Sequence, residues 1–219
     1  MPTNRSYGDA CSIARALDVV GERWALLIVR ELLFGPQRFS DLRRALPGAS
    51  ANLVSDRLRE LGEHAVVQRH RLPPPAGSMV YQLSPWGRQL EPIVLALGKW
   101  GMQIPLPPEP TLNATSVLLY LRAAARPDRA ATTVWRLALD QQVWTVTAER
   151  GRVRIDPGEP VDAQAGLTTN PGTLNSLLAA PAELAAAEAD HRARVTGRRA
   201  AVRALLASVR PADPRPDPS

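Results

Sequence analysis

The chain has 219 residues, 45% of them hydrophobic and 22% charged, a composition that excludes wholesale disorder and leaves room for two domains. Its formal net charge is +6 and every basic residue except Lys99 is arginine, which favours polyanionic partners, although genome composition explains the arginine bias equally well. A single cysteine, Cys11, excludes an internal disulfide framework and a multi-cysteine metal cradle.

The beginning of the chain has no apolar signal-peptide core, and no run of about 18 apolar residues follows. We therefore expect a protein of the reducing cytoplasm that does not contact membranes.

Repeated prolines between residues 104 and 110 divide the chain into two halves. Proline removes a backbone donor and disfavours helix on both sides, so this segment is typical of a stiff linker. The sequence predicts domains over residues 1–104 and 111–209, a linker over 105–110 and a disordered, proline-rich tail over 210–219.

The first half begins with two predicted helices. Ile13, Leu17 and Val20 recur at helical spacing, and a second apolar run over residues 24–33 stops at the Gly35-Pro36 breaker.

A pair of helices joined by a tight turn follows. Ser40 is the predicted N-cap of a helix over residues 41–46, and Pro47-Gly48 makes the turn. Ser50 then caps a helix that runs to about Gly62. This arrangement predicts a helix-turn-helix, whose second helix is the one that enters a DNA major groove.

A β-hairpin is predicted after this pair, with strands over residues 66–72 and 79–83 and a turn over 73–78. Ser84-Pro85 then opens another helix, because serine is a good N-cap and proline suits the first helical position. The hairpin corresponds to the wing of a winged helix-turn-helix.

The helix capped by Ser50 has one apolar face and one polar face. Asparagine and arginine suit the edges of adenine and guanine, and serine suits a base or a phosphate. Asp56 on the polar face is tolerated beside DNA only if it accepts from cytosine or pairs with a neighbour such as Arg59. A merely solvated helix face is the alternative interpretation. The predicted DNA-contact residues are Arg38, Ser40, Arg43, Arg44, Ser50, Asn52, Ser55, Arg59, Arg69 and Arg71.

Five stretches carry a family resemblance: CSIARALDVVG (11–21), Trp24 with Leu27-Ile28, RFSDL (38–42), LREL (58–61) and YQLSPWG (81–87). From about Cys11 to Gly101 the chain resembles the HxlR-type winged helix-turn-helix transcriptional regulators, relatives of the MarR group. The resemblance implies an obligate homodimer, assembled through the N-terminal and post-wing helices, that binds a pseudo-palindromic double-stranded DNA operator.

The chain departs from the family pattern in the hairpin. The wing tip over residues 73–78 has no charge, so phosphate contacts are expected from Arg69 and Arg71 on its stem. Ala65 stands where the family usually has a turn glycine, which predicts a mildly strained left-handed alanine.

Cys11 aligns with a cysteine that senses oxidants or electrophiles in some members of the family. Arg15 one turn away and the helix N-terminus are expected to lower the pKa of its thiol. The alternative is a small residue buried in the dimer interface.

The second half is predicted to be α+β, an antiparallel sheet with helices packed on one face. The predicted strands span residues 134–139, 143–147, 152–156 and 165–168, with a late strand near 194–197. The predicted helices span residues 117–125, 182–189 and 198–209, with one more opened by Asn170-Pro171.

The segment GLTTNPGTL (166–174) and the order of elements resemble the sterol carrier protein-like fold. The resemblance implies an apolar tunnel between sheet and helices that takes lipids or other hydrophobic small molecules as effectors. The alternative is that the candidate lining residues simply fill the core. These residues are Trp135, Leu137, Trp144, Leu174, Leu177 and Leu178.

Motifs for catalysis are missing from the sequence. It has no G-x-S-x-G elbow, no G-x-G-x-x-G and no P-loop, and His64, His70 and His191 lack metal-ligand spacing. We expect no enzymatic activity, no cofactor and no metal centre.

The leading hypothesis is a dimeric transcriptional regulator with a hydrophobic effector. The competing hypothesis is a lipid or metabolite carrier whose winged helix serves only dimerisation, motivated by the uncharged wing tip and Asp56. An enzyme that uses the apolar cavity ranks third, because no acid, base or nucleophile can be named for it.

Overall fold

The computed structural model describes residues 6–73, 77–105, 112–130 and 132–209, which form two compact units that divide after Val94. Most of the predicted linker, the centre of the wing tip and the predicted disordered tail lie outside the described residues. Among the residues that are described, no helix is long and apolar enough to cross a membrane.

The first unit is built from helices and one hairpin. In chain order it contains α1 (Ser12–Val20), α2 (Ala25–Leu32), α3 (Phe39–Ala45), α4 (Ala51–Glu63), β1 (Val67–Arg71), β2 (Met79–Leu83), a 3₁₀ turn (Gly87–Leu90) and the start of α5 (Glu91–Gly101).

The core of this unit is formed by the apolar stripes of its helices. Ile28 and Leu32 of α2, Leu42 of α3 and Val54 of α4 are fully buried, and α2 packs on both α3 and α4. Burying these stripes stabilises the helices more than their intrinsic propensities do.

The start of α3 differs from the prediction. Phe39 is the first helical residue and Arg38 is the N-cap, so Ser40 lies inside the helix and does not cap it. The reason is that the carbonyl of Arg38 already accepts from the N–H groups of Asp41 and Leu42, both at 3.1 Å. The Ser50 cap of α4 is confirmed, since its Oγ accepts from the Leu53 N–H at 3.2 Å.

The wing hairpin is antiparallel and is anchored at both ends. Gln37 and Tyr81 exchange backbone hydrogen bonds of 2.9 and 2.8 Å, which attaches β2 to the segment before α3. Ser84 Oγ donates to the Ala65 carbonyl at 2.6 Å and accepts from the Gly87 N–H at 2.9 Å. Ala65 has φ +55°, so the predicted left-handed alanine is confirmed.

The second unit is a five-stranded sheet with helices. It contains the remainder of α5, α6 (Ala114–Ala124), β3 (Thr133–Leu139), β4 (Gln142–Glu149), β5 (Arg152–Pro157), β6 (Ala165–Thr169), α7 (Pro171–Ala179), a 3₁₀ turn (Pro181–Glu183), α8 (Leu184–Ala189), β7 (Ala193–Gly197) and α9 (Arg199–Ala207). Asn113 and Asn170 cap α6 and α7 through their side chains.

The sheet is mixed, which corrects the expectation of an antiparallel sheet. The strand order is β5-β4-β3-β6-β7, and β6 runs parallel to β3 while the other pairs are antiparallel. The chain leaves the edge strand β5, crosses two strands and enters β6 beside β3. The alternation of apolar and polar residues along a strand is the same in parallel and antiparallel pairs, so the sequence pattern does not distinguish this crossover from a hairpin.

One face of the sheet carries the apolar residues and the other is polar. Trp135 and Leu137 of β3 alternate with Arg136, and Trp135 Nε1 donates to the Ala201 carbonyl in α9 at 3.0 Å. On the opposite face the connection from β5 to β6 is attached to the sheet, because Glu159 makes a bidentate ion pair with Arg136 at 2.7 and 2.8 Å.

Candidate nucleic-acid interface

The second helix of the pair, α4, presents the polar face that the sequence predicts. Its apolar residues Val54, Leu58 and Leu61 are buried, whereas Asn52 and Ser55 are exposed. The helix spans three and a half turns from a side-chain cap to the left-handed turn before the wing. It therefore holds its exposed side chains on a rigid element.

Arg59 on this face is surrounded by carboxylates of its own helix. Its Nη1 donates to Glu63 at 2.9 Å, and its Nη2 lies 3.6 Å from Asp56 and 4.0 Å from Glu60. The hydrogen bond to Glu63, followed by the charges of all three carboxylates, raises the pKa of Arg59 above its ordinary value. Asp56 thus has the partner that the sequence suggested for it.

Ser50 has two possible roles at the start of α4. Its Oγ accepts from the Leu53 N–H and is therefore used by the cap, but its hydroxyl proton is still available to a DNA phosphate. The free N–H groups and the dipole of a helix start also attract anions.

The arginines that were predicted to contact phosphates are spread over α3 and the wing stem. Arg38 and Arg44 are exposed, Arg43 is half-buried, and the Arg44 Nη1 lies 3.6 Å from Asp41 of the same helix. On the wing, the Arg69 guanidinium lies 5.9 Å from the centre of the Tyr81 ring. None of the ten predicted DNA-contact residues is buried, and all of them lie in the first unit.

One charged residue of α4 was missed by the sequence reasoning. The side chain of Arg57 is only 14% exposed, and its Nη1 pairs with Glu60 and lies 3.5 Å from Glu22 of the loop before α2. The spacing of Arg57 and Glu60 along the helix is a usable signal, but the contact with Glu22 depends on tertiary structure.

Cys11 is exposed and immediately precedes α1. The backbone N–H groups of Ala14 and Ile13 lower the pKa of its thiol, because they stabilise the thiolate at the start of the helix. The pKa is lowered as predicted, and the backbone groups at the helix start are the cause, whereas the expected contribution of Arg15 is not found.

The six candidate lining residues of the second unit are all buried, each with 4% exposure or less. Leu137 and Trp144 lie opposite each other in the β3–β4 register, and Leu174, Leu177 and Leu178 belong to α7. In this structure the six side chains are buried as core residues are, which is the alternative to lining an open tunnel.

Comparison with known proteins locates the first unit within a family. The model of the HxlR-like helix-turn-helix family matches residues 19–107. The HTH-type transcriptional regulator YvaP of Bacillus subtilis is 39% identical over 89 residues, which cover 41% of this chain and 82% of YvaP. The chain belongs to the HxlR-like transcriptional regulators.

Two other matches are similar in extent. The HTH-type transcriptional regulator sll1512 of Synechocystis is 34% identical over 43% of this chain and 70% of its own length. The solved structure of the redox regulator HypR in its oxidized form is 33% identical and matches 42% of this chain and 94% of HypR, with a TM-score of 0.39. As a member of this family the chain is a DNA-binding transcriptional regulator, and its second unit is α+β.

Proposed function

We propose that this HxlR-like regulator is a homodimer that binds a pseudo-palindromic operator through the α4 helix of each protomer and responds to a hydrophobic small molecule bound by its second unit. The observation that carries the DNA-binding part is the exposed face of α4, with Asn52, Ser55 and Arg59 on a rigid, capped helix.

Exposed apolar side chains support the homodimer. In α1, Ile13 is 69% exposed, and α5 buries none of its residues. Ile93, Leu97 and Trp100 of α5 are about half exposed or more and recur at helical spacing. Apolar stripes of this kind are typical of faces that a partner covers, and a second copy covers them with the same residues by two-fold symmetry.

A mobility-shift titration with the protein's own upstream DNA tests this function, repeated over a series of salt concentrations. We expect sequence-preferring binding that weakens with salt, because every neutralised phosphate releases counterions. Equal affinity for an unrelated duplex of the same length would refute operator recognition.

The proposed effector site is the interface between the apolar sheet face and the helices of the second unit, in the manner of the sterol carrier protein-like fold. Trp135 and Trp144 supply large apolar surface there, and Trp135 connects β3 to α9 through its indole N–H. Because these side chains are buried, entry of an effector requires a helix of this layer to move.

Native mass spectrometry of freshly purified protein tests the effector and the dimer together. We expect a dimer that retains a hydrophobic small molecule or takes one up. A retained ligand without any DNA affinity would favour the carrier hypothesis instead. If the protein neither retains a ligand nor binds an added one, the effector is removed from the proposal.

Cys11 supports a second input, the sensing of electrophiles or oxidants, because its thiol is exposed and its pKa is lowered. We predict that the rate of alkylation by iodoacetamide rises with pH and reaches half its maximum at a lower pH in the folded protein than in denaturant. The sign follows from the lowered pKa, since the thiolate is the reactive form and is populated at lower pH.

The same Cys11 in denaturant is the matched control for this measurement, and the Cys11→Ser variant gives the background rate. Coincident pH profiles for the folded and denatured protein would contradict the prediction and remove the chemical basis for sensing.

A further inference from the structure

The loop between α1 and α2 contains a strained residue. Trp24, the N-cap of α2, has φ +79° and ψ −15°, a left-handed conformation that bulky side chains rarely adopt. A glycine would occupy this position without strain, so a tryptophan here requires a contact that the indole makes.

That contact is with the turn of the helix-turn-helix. A Cβ placed on Gly48 would lie 2.9 Å from Cη2 and 3.4 Å from Cζ2 of the Trp24 indole. Gly48 lies between α3 and α4, and its neighbour Ala49 is buried. The Arg23 guanidinium lies over the indole, 5.5 Å from its centre. The indole is thus placed directly against the turn that sets the direction of α4.

A second contact joins the same loop to α4 itself. Glu22 lies 3.5 Å from the Arg57 Nη1, and Arg57 also pairs with Glu60 one turn further along the helix. Because the Arg57 side chain is only 14% exposed, water screens this interaction less than it screens the surface pairs of Arg59. The loop therefore contacts the turn before α4 through Trp24 and the middle of α4 through Glu22.

We propose that Trp24 and Glu22 are positioning residues for operator recognition, which set the orientation of α4 relative to α3 without touching DNA. The proposal rests on operator binding by α4. It predicts that a small displacement of the indole changes the fit of α4 to the base edges. The contacts that α3 and the wing make with DNA phosphates should tolerate this displacement.

The test uses Gly48→Ala in the full chain. The backbone of Gly48 is not in the left-handed region, so alanine is permitted there and its methyl group acts by pushing the indole. We expect affinity for the upstream DNA to fall about tenfold, the effect of one lost base contact, with little change in affinity for an unrelated duplex. Gly62→Ala is the matched control, since a Cβ there would make only an ordinary contact with the Val67 carbonyl oxygen, at 3.8 Å.

A second substitution separates positioning from loss of structure. In Trp24→Phe the outer part of the indole, which includes Cζ2 and Cη2, is removed. We expect the double variant Trp24→Phe with Gly48→Ala to recover most of the operator affinity lost by Gly48→Ala. Equal affinities of wild type and Gly48→Ala, or an equal loss on operator and unrelated DNA by folded protein, would overturn the proposal.

Amide chemical shifts of α4 provide a readout that needs no DNA. Shift changes that extend from the Gly48→Ala site into residues 51–57 support positioning, and changes confined to the immediate neighbours of residue 48 overturn it. If the wild type binds no operator, the proposed function fails, but the chemical shifts still decide whether the indole of Trp24 positions α4. If Gly48→Ala does not fold, Glu22→Gln, at a half-exposed side chain, is judged by the same two readouts.

Discussion

Arg59 illustrates how an exposed residue can be held in place before it meets a ligand. Glu63, Asp56 and Glu60 surround its guanidinium, and such exposed pairs contribute little to stability because water screens them. When the Arg59 guanidinium leaves a carboxylate to bind the edge of a guanine, little free energy is therefore lost. The same carboxylates repel phosphates, so Arg59 is suited to contact a base and poorly suited to contact the DNA backbone.

Arg59→Ala is predicted to lower affinity for the upstream DNA by ~1–3 kcal/mol and to relax the preference at one base pair. The reason is the loss of a donor pair that reads a base edge. A mobility-shift titration over a set of single-base variants of the DNA measures both effects.

Arg43→Ala is the matched control, because Arg43 belongs to α3 and was predicted to contact a phosphate. It should weaken binding to all sequences alike and reduce the slope of log affinity against log salt by about 1. If Arg59→Ala behaved in the same way as Arg43→Ala, a base contact by Arg59 would be excluded.

At the scale of elements, the start of α4 matters most, because it determines where the exposed face begins. The Ser50 Oγ satisfies the Leu53 N–H, one of the four N–H groups that a helix start leaves without an intrahelical partner. The start of α3 has no side-chain cap, and there the carbonyl of Arg38 accepts from the N–H groups of Asp41 and Leu42.

Ser50→Ala is predicted to lower the free energy of unfolding by about 1 kcal/mol, because the cap of α4 is lost. Urea unfolding of the full chain followed by circular dichroism measures the change. Ser55→Ala, an exposed serine in the interior of the same helix, should stay within about 0.5 kcal/mol of wild type.

The two serine variants also separate folding from DNA contact. A loss of affinity by folded Ser50→Ala would assign its hydroxyl a phosphate contact in addition to the cap. Equal stabilities of the two variants would contradict the capping role.

At the scale of the whole molecule, the exposed apolar residues of α5 require an explanation. Ile93, Leu97 and Trp100 follow one stripe, and all three are about half exposed or more in the single chain. The proposed homodimer would cover this stripe and would place two α4 helices on one DNA duplex.

Leu97→Glu is predicted to convert the dimer to a monomer at micromolar concentration and to abolish operator binding. Burying a carboxylate without a partner in an apolar interface costs at least ~2 kcal/mol per protomer. Size-exclusion chromatography with light scattering measures the mass, and the mobility shift measures binding.

Lys99→Glu is the control, because it places the same carboxylate on α5 about 120° away from the stripe, at 100° per residue. It should remain dimeric. A monomeric wild type, or a dimer that survives Leu97→Glu, would show that α5 does not form the interface.

The sequence by itself determined the features that depend on local periodicity and local hydrogen bonds. The helical spacing predicts the buried stripe of α4, and serine at position 50 predicts its cap. Asn170-Pro171 likewise predicts the start of α7. In each case the interacting groups lie within a few residues of one another, so the pattern contains the information.

Only the tertiary structure decided which distant groups meet. The parallel pairing of β3 with β6 and the contact of Trp24 with Gly48 each depend on segments brought together by packing of the core. The alternation along a strand is the same whether its partner runs parallel or antiparallel. A tryptophan in a helix-rich sequence predicts only an ordinary core residue. Local sequence preferences do not predict such contacts, because the contacts contribute free energy only once the two segments lie side by side.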